Sequence, residues 1–372
     1  MTKISHKPHI LIVGAGLIGL SSAHSLAKRG AYVTVIERRS GPAMGASFSN
    51  SGMRHPSQAS PWMLPRQYFG HYKPAAYAQS RAALTASVLD LAQISKPLIA
   101  EKMKRFGMKT VTPKGCYKLY SSRDEAKRAL NQYKADGVDC AAVPVASRPF
   151  RKASLFFPQD GFGDAYAYCR ALEAELRASG AVNFIYNAEN VQLEKRGLSV
   201  RGIQCNGDRF EADHILVAAG SESAALLRPL GLDMPVYPVT GYALNFARTA
   251  QFEALDLPQV PIMDAASHSA LSFYEDHIRL SGTVGAKSAK ALLSTWGEIS
   301  PELMKALGDP IRVWEGQRPM SALGRPFIGR TAIPRLWVNC GHGHMGWTLS
   351  AGSGEVLAEM VMEDVIDARF VW

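Results

Sequence analysis

The first forty residues alternate apolar runs with glycines in a pattern typical of a strand–helix–strand unit. Residues 10–13 are all apolar, as in a parallel strand that is buried on both faces. A helical pattern follows over residues 17–29, and Gly30 is a natural left-handed cap for it. A second, β-branched run over residues 32–36 leads to Glu37. The pattern predicts two parallel strands of one sheet joined by a helix.

The turn between the first strand and the helix carries Gly14, Gly16 and Gly19 in G-x-G-x-x-G spacing. In this motif the first glycine permits the tight turn, the second lets a pyrophosphate approach the backbone, and the third lets the helix pack on the strand. Glu37 is placed to accept hydrogen bonds from an adenosine ribose. The simpler alternative is a turn whose glycines serve packing alone. The preceding strand, the following helix and the acid together favour a dinucleotide cradle.

Two arginines directly after the second strand raise the question of which dinucleotide is bound. Arg38 and Arg39 could hold the 2′-phosphate of NADP. Glu37 at the strand end would repel that phosphate, so the sequence favours an unphosphorylated ribose.

The remaining chain mixes helical and strand patterns, which predicts an α/β protein that is α+β overall. Residues 212–220 form a buried strand ending in Ala-Ala-Gly, which predicts that the chain returns there to the nucleotide sheet. Strands over residues 236–247 and 270–282 predict a second sheet. The other expected strands cover residues 115–120, 183–194, 198–205 and 336–340, and the expected helices cover residues 75–106 with a break at Pro97, 124–136, 164–179, 221–228 and 350–364.

Composition and charge narrow the class of protein. The chain has 372 residues, 47% of them apolar, and carries 42 Lys and Arg against 32 Asp and Glu, for a formal charge of +10. The excess of positive charge favours anionic ligands or an anionic membrane surface. A candidate face for such a membrane contact carries Lys96, Lys102, Lys104 and Arg105. A solvated helix face is the simpler interpretation. Basic blocks with interleaved aromatics are absent from the sequence, so we expect no nucleic-acid partner.

The cysteines and the apolar runs indicate the compartment. The five cysteines are scattered and odd in number, without a C-x-x-C pair, which predicts reduced thiols in a cytosolic setting. We expect no signal peptide and no spanning helix, because the apolar runs are short.

A second glycine-rich turn lies near the C-terminus, where Gly341, Gly343 and Gly346 precede the last helical pattern. Backbone N–H groups and the positive end of a helix dipole would stabilise an anion there, such as a reduced flavin, and His344 could add positive charge. The alternative is a loop kept for tight packing. His342 and His344 lie two residues apart inside this turn, so we interpret them as loop or ligand contacts and predict no metal site.

Arg318 follows a glycine and a glutamine and precedes a proline in an otherwise uncharged turn. A planar guanidinium suits bidentate capture of a carboxylate. The alternative is a surface arginine paired with Glu315 or with solvent. Signatures of serine hydrolases, zinc peptidases and P-loop enzymes are absent from the sequence.

Five motifs in order resemble the D-amino acid oxidase superfamily of FAD enzymes, and most closely the bacterial D-amino acid dehydrogenase (small subunit) family. They comprise the N-terminal cradle with Glu37, residues 47–52 (SFSNSG), 238–242 (PVTGY), 316–320 (GQRPM) and 341–348 (GHGHMGWT). The resemblance implies a glutathione-reductase-type FAD fold, with a Rossmann-like FAD-binding domain and a discontinuous mixed-sheet substrate domain. We expect the FAD domain in residues 1–75, 150–235 and 325–372, and the substrate domain in residues 76–149 and 236–324.

The resemblance also implies roles for individual residues. Arg318 would anchor the substrate carboxylate, with Tyr242 and Tyr274 lining the pocket and residues 53–55, including His55, near the flavin. The cofactor-binding residues would be Gly14, Gly16, Gly19, Glu37 and Arg38 at the ADP half, Ser47 at the pyrophosphate, Val191 at the adenine, Ala219 and Gly220 closing the nucleotide site, and Gly343, His344, Met345, Gly346, Trp347 and Thr348 along the flavin N1–C2=O edge.

The implied reaction is FAD-dependent oxidative deamination of an amino acid, the D-isomer being favoured, to a 2-oxo acid and ammonia. A hydride would pass from Cα to flavin N5, without a dedicated side-chain base, and quinone or oxygen would accept the electrons. The alternatives are oxidation of a secondary amine (glycine or sarcosine, D-hydroxyproline or an opine), an NAD(P)-dependent reductase, or a flavin-binding partner subunit of a larger complex. The expected location is the cytoplasm, with peripheral contact to the inner face of the cytoplasmic membrane as a second option.

Three departures from the family pattern bear on these expectations. The chain is shorter than the usual dehydrogenase after Pro65, which puts membrane docking and pocket size in question. His344 and Met345 stand where smaller, uncharged residues are expected, and residues 150–163 are compact. Flavin potential and substrate preference are therefore expected to differ.

Overall fold

The computed structural model describes residues 7–62, 80–108, 115–145, 150, 152–282 and 288–370. Within these residues the strands are β1 His9–Val13, β2 Tyr32–Ile36, β3 Met53–Arg54, β4 Cys116–Tyr120, β5 Ala153–Phe157, β6 Gly161–Phe162, β7 Val182–Ile185, β8 Gln192–Arg196, β9 Ser199–Cys205, β10 Asp208–Glu211, β11 His214–Val217, β12 Val236–Ala247, β13 Ile262–Asp264, β14 Ser269–Phe273, β15 His277–Gly282, β16 Arg312–Ser321, β17 Phe327–Arg330 and β18 Leu336–Cys340. The helices are α1 Leu17–Lys28, α2 Arg81–Arg105, α3 Arg123–Ala135, α4 Ala165–Ala178, α5 Ser223–Leu227, α6 Ala250–Glu253, α7 Ala289–Ile299, α8 Pro301–Leu307 and α9 Gly346–Glu363, with 3₁₀ turns at Pro56–Gln58, Gly220–Glu222, Arg228–Leu230 and Gly343–Met345.

A six-stranded sheet forms the centre of the nucleotide side, with strands in the order β17-β18-β11-β1-β2-β7. Neighbours are parallel except β17 and β18, which are antiparallel. The predicted return of the chain to this sheet is confirmed, because β11 lies beside β1 with Ile10 opposite His214. The carboxyl ends of β1, β2 and β11 therefore meet at one edge, where open α/β sheets bind ligands.

Helices cover one face of this sheet and a small antiparallel sheet covers the other. Apolar side chains of α1, α2, α4 and α9 share one core with the sheet. The sheet β8–β9–β10 and helix α5 contribute to a second core on the opposite face. A Cβ at Gly352 would lie 2.5 Å from the Leu91 carbonyl oxygen, and one at Gly354 would lie 2.7 Å from that of Ser21. These glycines let α2 and α1 approach the α9 backbone.

The second large sheet has seven strands in the order β16-β12-β15-β14-β13-β4-β5. Only β4 and β13 are parallel among its recorded pairs, so it is a mixed sheet. Its longest ladder joins β12 and β16 over ten residue pairs and sets Arg318 opposite Val239. Helices α7 and α8 pack on it through Leu292, Trp296 and Leu303.

Several predicted element boundaries are wrong. Helix α2 does not break at Pro97, because that residue is exposed and faces solvent, where water can take the place of the missing hydrogen bond. The predicted strand 183–194 divides into β7 and β8, since Asn187 and Asn190 adopt left-handed φ values of 53° and 54°. The predicted strand 270–282 divides into β14 and β15, and the last helix starts at Gly346 rather than at residue 350.

Two segments pack with the other domain from the one to which the expected boundaries assign them. β5 falls in the stretch assigned to the FAD domain but pairs with β4 in the seven-stranded sheet. α2 falls in the stretch assigned to the substrate domain but shares the core of α1 and α9. We propose the same two-part division with these two segments exchanged.

Candidate active site: one cavity between two glycine turns

Two of the three glycines in the N-terminal turn, Gly14 and Gly19, leave no room for a side chain. Gly14 has a φ of +108°, and a Cβ there would lie 2.6 Å from the Ala218 carbonyl oxygen. A Cβ at Gly19 would lie 1.8 Å from the Gly14 carbonyl oxygen. The first glycine therefore brings β1 against the end of β11, and the third brings α1 onto the turn.

The start of α1 is arranged to bind an anion. Gly16 is its N-cap and supplies no side-chain acceptor, while the Leu17 N–H donates to Ser47 Oγ at 3.2 Å. Ser47 therefore lies at the positive end of the helix dipole, as predicted for a residue beside the pyrophosphate. Gly16 and Ser47 both line the main cavity.

Glu37 lies at the end of β2 with its carboxylate directed at the turn. Its Oε2 accepts the Ala15 N–H at 2.8 Å and its Oε1 accepts the Arg39 N–H at 2.9 Å. Remaining lone pairs on both oxygens can accept ribose hydroxyls. Arg38 is engaged in an ion pair of 2.5 Å with Glu222, which argues against its use for a 2′-phosphate.

The cavity has a volume of about 950 Å³ and runs from this cradle to the C-terminal glycine turn. Val191, Ala219 and Gly220 line its nucleotide end. Gly343, His344, Gly346, Trp347 and Arg318 line the other end. The structure therefore brings most of the predicted cofactor residues and the predicted carboxylate anchor into one space, large enough for a dinucleotide and a small substrate.

The C-terminal glycine turn leads into the second long helix that starts at the cavity. Gly341 and Gly343 have φ values of +78° and +56°, and α9 begins at Gly346 and runs for 18 residues. The first N–H groups of a helix lack intrahelical partners and carry partial positive charge. The geometry therefore matches the predicted site for developing negative charge.

Two residues of this turn do not present their side chains to the cavity. Met345 is 4% exposed and packs into the core under α9. Thr348 is buried, and its Oγ1 accepts the His55 N–H at 3.0 Å. Since α9 turns these side chains inward, only their backbone is available for the predicted contact with a flavin.

His344 does not add the positive charge that the sequence suggested. Burial lowers its pKa well below the ordinary value, and the nearby His55, Arg318 and His268 lower it further. Its ring stacks on Trp62, with centroids 3.8 Å apart and planes 12° apart. The imidazole is therefore neutral at pH 7, and the helix terminus alone supplies the positive potential of the turn.

Arg318 projects into the cavity from the edge strand β16. Burial lowers its pKa to about 10, so the guanidinium is still charged at pH 7. Its side chain forms no hydrogen bond or ion pair within the described part of the chain, and its suggested partner Glu315 is exposed. A half-buried guanidinium that lines a cavity and has no protein carboxylate beside it is a receptor for a ligand carboxylate.

The two predicted pocket tyrosines lie outside the cavity wall. Tyr242 alternates with Leu244 and Phe246 on the face of β12 that packs against α7 and α8, whereas Arg318 lies opposite Val239 on the other face. Tyr274 is 3% exposed, stacks on His277 and accepts a hydrogen bond of 2.8 Å from Arg279. Successive side chains of a strand point to opposite faces of the sheet, and the sequence motif alone does not show which face lines the cavity.

His55 lines the cavity, and its ring contacts Thr348 and His344. Its Nδ1 lies 3.3 Å from Thr348 Oγ1, and its ring meets the His344 ring edge-on. Burial lowers its pKa to about 3, and Lys118 and Arg318 contribute to that shift. His55 is therefore a neutral wall residue.

We call the end of the cavity that Arg318 and His344 line the chamber. The sequence analysis missed two aromatic residues there. Trp62 contacts both His344, on which it stacks, and His268, whose ring is tilted by 49° with the centroids 4.5 Å apart. His268 has a φ of +50° in the turn between β13 and β14. Trp62 stands in a segment rich in proline and aromatics, a usable signal, but His268 has no comparable mark. The rest of that segment, residues 63–79, lies outside the described residues.

A buried polar network behind the chamber was also missed. Lys118 Nζ donates to Gln58 Oε1 at 2.8 Å, Gln58 Nε2 donates to Ser57 Oγ at 2.8 Å, and Ser57 Oγ donates to Asp160 Oδ2 at 2.6 Å. Burial raises the pKa of Asp160 to about 7. The network fixes the 3₁₀ turn Pro56–Gln58 beneath the cavity.

The fold and the cavity define a dinucleotide-binding protein, and comparison with known proteins gives its family. Residues 9–360 match the model of the DAO family, described as FAD dependent oxidoreductase. The chain is 31% identical over 405 aligned positions, covering 95% of it and 91% of the relative, to a D-amino acid dehydrogenase of Cereibacter sphaeroides. The chain therefore belongs to the DAO family of FAD-dependent oxidoreductases, and the predicted resemblance and cofactor are confirmed.

Solved structures share the whole architecture. The glycine oxidase of Geobacillus kaustophilus superposes with a TM-score of 0.78 at 22% identity, over 98% of this chain and 96% of that one. The iminodiacetate oxidase of Chelativorans sp. BNC1 gives 0.76 at 20% identity, over 97% and 98%. These likenesses confirm the predicted fold class.

The residues present fit FAD. Two long helices begin at the cavity, Gly16 leaves the backbone of the first one open, and Glu37 offers carboxylate oxygens. His342 at the second turn is 4% exposed, and both of its ring nitrogens lack a partner in the described structure. An anionic, dinucleotide-sized cofactor matches this set of donors and acceptors.

Two further properties bear on membranes and metals. Among the described residues, no helix is both long and apolar enough to cross a membrane. The same residues contain no group of three or more His, Cys, Asp or Glu side chains placed to hold a metal ion.

Proposed function

We propose that the protein oxidises an α-amino acid, preferentially the D-isomer, to the 2-oxo acid and ammonia through the imino acid. The observation that carries this proposal is Arg318, a charged guanidinium inside the cavity without a protein partner in the described residues. The similarity to a D-amino acid dehydrogenase over 95% of the chain supports the choice of substrate. Arg318 would fix the substrate carboxylate by two parallel hydrogen bonds.

FAD, when bound, supplies the two-electron acceptor for the hydride that leaves Cα. The residues of the chain would bind and orient the cofactor. Gly16, Ser47 and Glu37 would bind the ADP half, and the start of α9 would face the flavin. Trp62, Met53 and Met263 contribute apolar surface to the cavity that Arg318 also lines. This surface would exclude water from the reacting carbon and accommodate the substrate side chain.

The test is anaerobic mixing of the purified holoenzyme with D- and L-amino acids, glycine, sarcosine and D-proline, followed by loss of the flavin absorbance near the visible maximum. Bleaching by D-amino acids supports the proposal, whereas bleaching by L-amino acids alone contradicts it. Bleaching only by glycine, sarcosine or D-proline would assign the alternative in which glycine or a secondary amine is oxidised in the same cleft.

The same experiment separates the remaining alternatives. Adding air and then a quinone to the reduced protein identifies the electron acceptor. A flavin that dithionite reduces but no amine bleaches would favour a partner subunit of a larger complex. A colourless protein that binds NADPH would support the reductase alternative and overturn the proposal.

A further inference from the structure

His344 is held in one tautomer by a main-chain contact. Its Nε2 lies 3.1 Å from the Gln58 carbonyl oxygen. A carbonyl oxygen only accepts hydrogen bonds, so Nε2 must carry the hydrogen and Nδ1 of the neutral ring must be the acceptor. Most histidine tautomers are ambiguous in a structure, but this partner leaves one choice.

The Nδ1 atom is open to the cavity. It has no hydrogen-bond partner in the described residues, and it is absent from the buried side-chain atoms that lack one, whereas both nitrogens of neighbouring His342 are among them. His344 lines the same cavity as Arg318. The cavity therefore presents a cation, Arg318, and a neutral acceptor of fixed tautomer, His344 Nδ1.

The groups that face His344 keep it in this state. Trp62 covers one face of the ring, and His55 meets it edge-on with centroids 5.8 Å apart. His268 lies beyond Trp62, and Arg318 is close enough to disfavour a second positive charge. A protonated imidazole would lose its only acceptor, so this environment preserves the acceptor.

We propose that His344 Nδ1 accepts an N–H hydrogen bond from the substrate amine, while Arg318 binds the carboxylate. The inference rests on the proposed function. Arg318 would donate to the substrate carboxylate and His344 would accept from the substrate amine. Two of the substituents of Cα would then be fixed, which orients its C–H bond. His344 would then be a substrate-binding residue that discriminates amino acids from carboxylic acids of the same shape, because the latter leave Nδ1 unpaired.

The experiment compares two ligands that cannot be oxidised at an amino-bearing C–H. 2-Aminoisobutyrate lacks the Cα hydrogen, and isobutyrate is the same skeleton without the amine. Dissociation constants for the holoenzyme are measured by calorimetry and by the shift of the flavin absorbance spectrum. The quantity of interest is the preference for the amine-bearing ligand.

Three substitutions at His344 distinguish the contributions of Nδ1, of Nε2 and of the stacked ring. H344N keeps a polar acceptor at the position of Nδ1, H344Q keeps a donor for the Gln58 carbonyl at the position of Nε2, and H344F keeps the stacked ring without either nitrogen. We expect the preference for 2-aminoisobutyrate to fall about tenfold or more in H344Q and H344F and to stay within about threefold in H344N. Isobutyrate affinity should not fall in any of the three, because isobutyrate has no amine to lose a hydrogen bond.

The outcomes distinguish this inference from the proposed function. An unchanged preference in H344Q and H344F, or an equal loss in all three variants, would refute the role of Nδ1 while leaving the carboxylate site intact. If neither ligand binds the wild type in a manner that depends on Arg318, the proposed function fails, and the inference fails with it.

Discussion

Replacing Arg318 with alanine tests the carboxylate site most directly. The residue is half-buried in the cavity wall, and its guanidinium has no protein partner in the described residues, so the protein does not neutralise this charge. Two charge-assisted hydrogen bonds to a substrate carboxylate are together worth about 3 kcal/mol, which is about 150-fold in the dissociation constant. We expect that loss mainly in KM, because the contact is made in the ground state as well as in the transition state.

The assay measures KM and kcat with a D-amino acid and the Kd of isobutyrate. Arg312 is the matched control, since it lies on the same strand but is exposed, and R312A should change none of the three constants. R318K keeps the charge without the planar fork and should recover part of the affinity. An R318A enzyme with unchanged KM and unchanged isobutyrate affinity would refute the assignment.

Although R318A should impair substrate binding, we expect it not to destabilise the folded protein. Burial lowers the pKa of Arg318, so the charged form is less favourable in the folded protein than in the unfolded chain. Removal of the charge should therefore leave the melting temperature of ligand-free R318A unchanged or raised. A large drop would mean that Arg318 supports the fold, and its kinetic effects would then have a structural cause.

Three further changes follow from particular contacts. E37Q should weaken FAD binding by about tenfold, measured by flavin release on dilution, with E298Q, an exposed position outside the cavity lining, as an unaffected surface control. G19A should prevent stable folding, because its Cβ would meet a backbone oxygen at 1.8 Å, whereas G30A, at a φ of +91° in open space, should cost only about 1 kcal/mol in a urea titration. Since the folded pKa of Asp160 is raised to about 7, the free energy of unfolding should fall as pH rises from about 4 to 7 and then level off, and D160N should lose that decline. A wild-type profile that rises over this window would contradict the protonation assigned to Asp160.

The nucleotide cradle could be predicted because its physics is local. Gly14, Gly19 and Glu37 act through backbone approach and one side chain, all within a strand–helix–strand unit. Spacing along the chain therefore fixes their arrangement in space. The same reasoning located the second glycine turn, whereas the role of Arg318 was left open by the local pattern and came from the family resemblance.

The chamber itself was harder to predict, because its walls come from distant segments. Trp62, His268 and His344 meet only after three separate turns are folded together. Tyr242 was misplaced because register on a strand decides which face is buried, and a one-residue difference reverses it. The charge of His344 was misjudged because burial, which lowers its pKa, is a property of the folded chain.

One short turn connects the two sheets to the chemistry of the site. Pro56–Gln58 is held from the seven-stranded side by Lys118 of β4 and by Asp160, through the side chains of Gln58 and Ser57. On its other side the Gln58 carbonyl sets the tautomer of His344 at the start of α9. The acceptor in the chamber is therefore specified by a main-chain atom whose position depends on a buried charge network, and not by His344 alone. A change at Lys118 should accordingly alter amine recognition without touching the ligand, which places the discrimination of substrates partly in the contact between the two sheets.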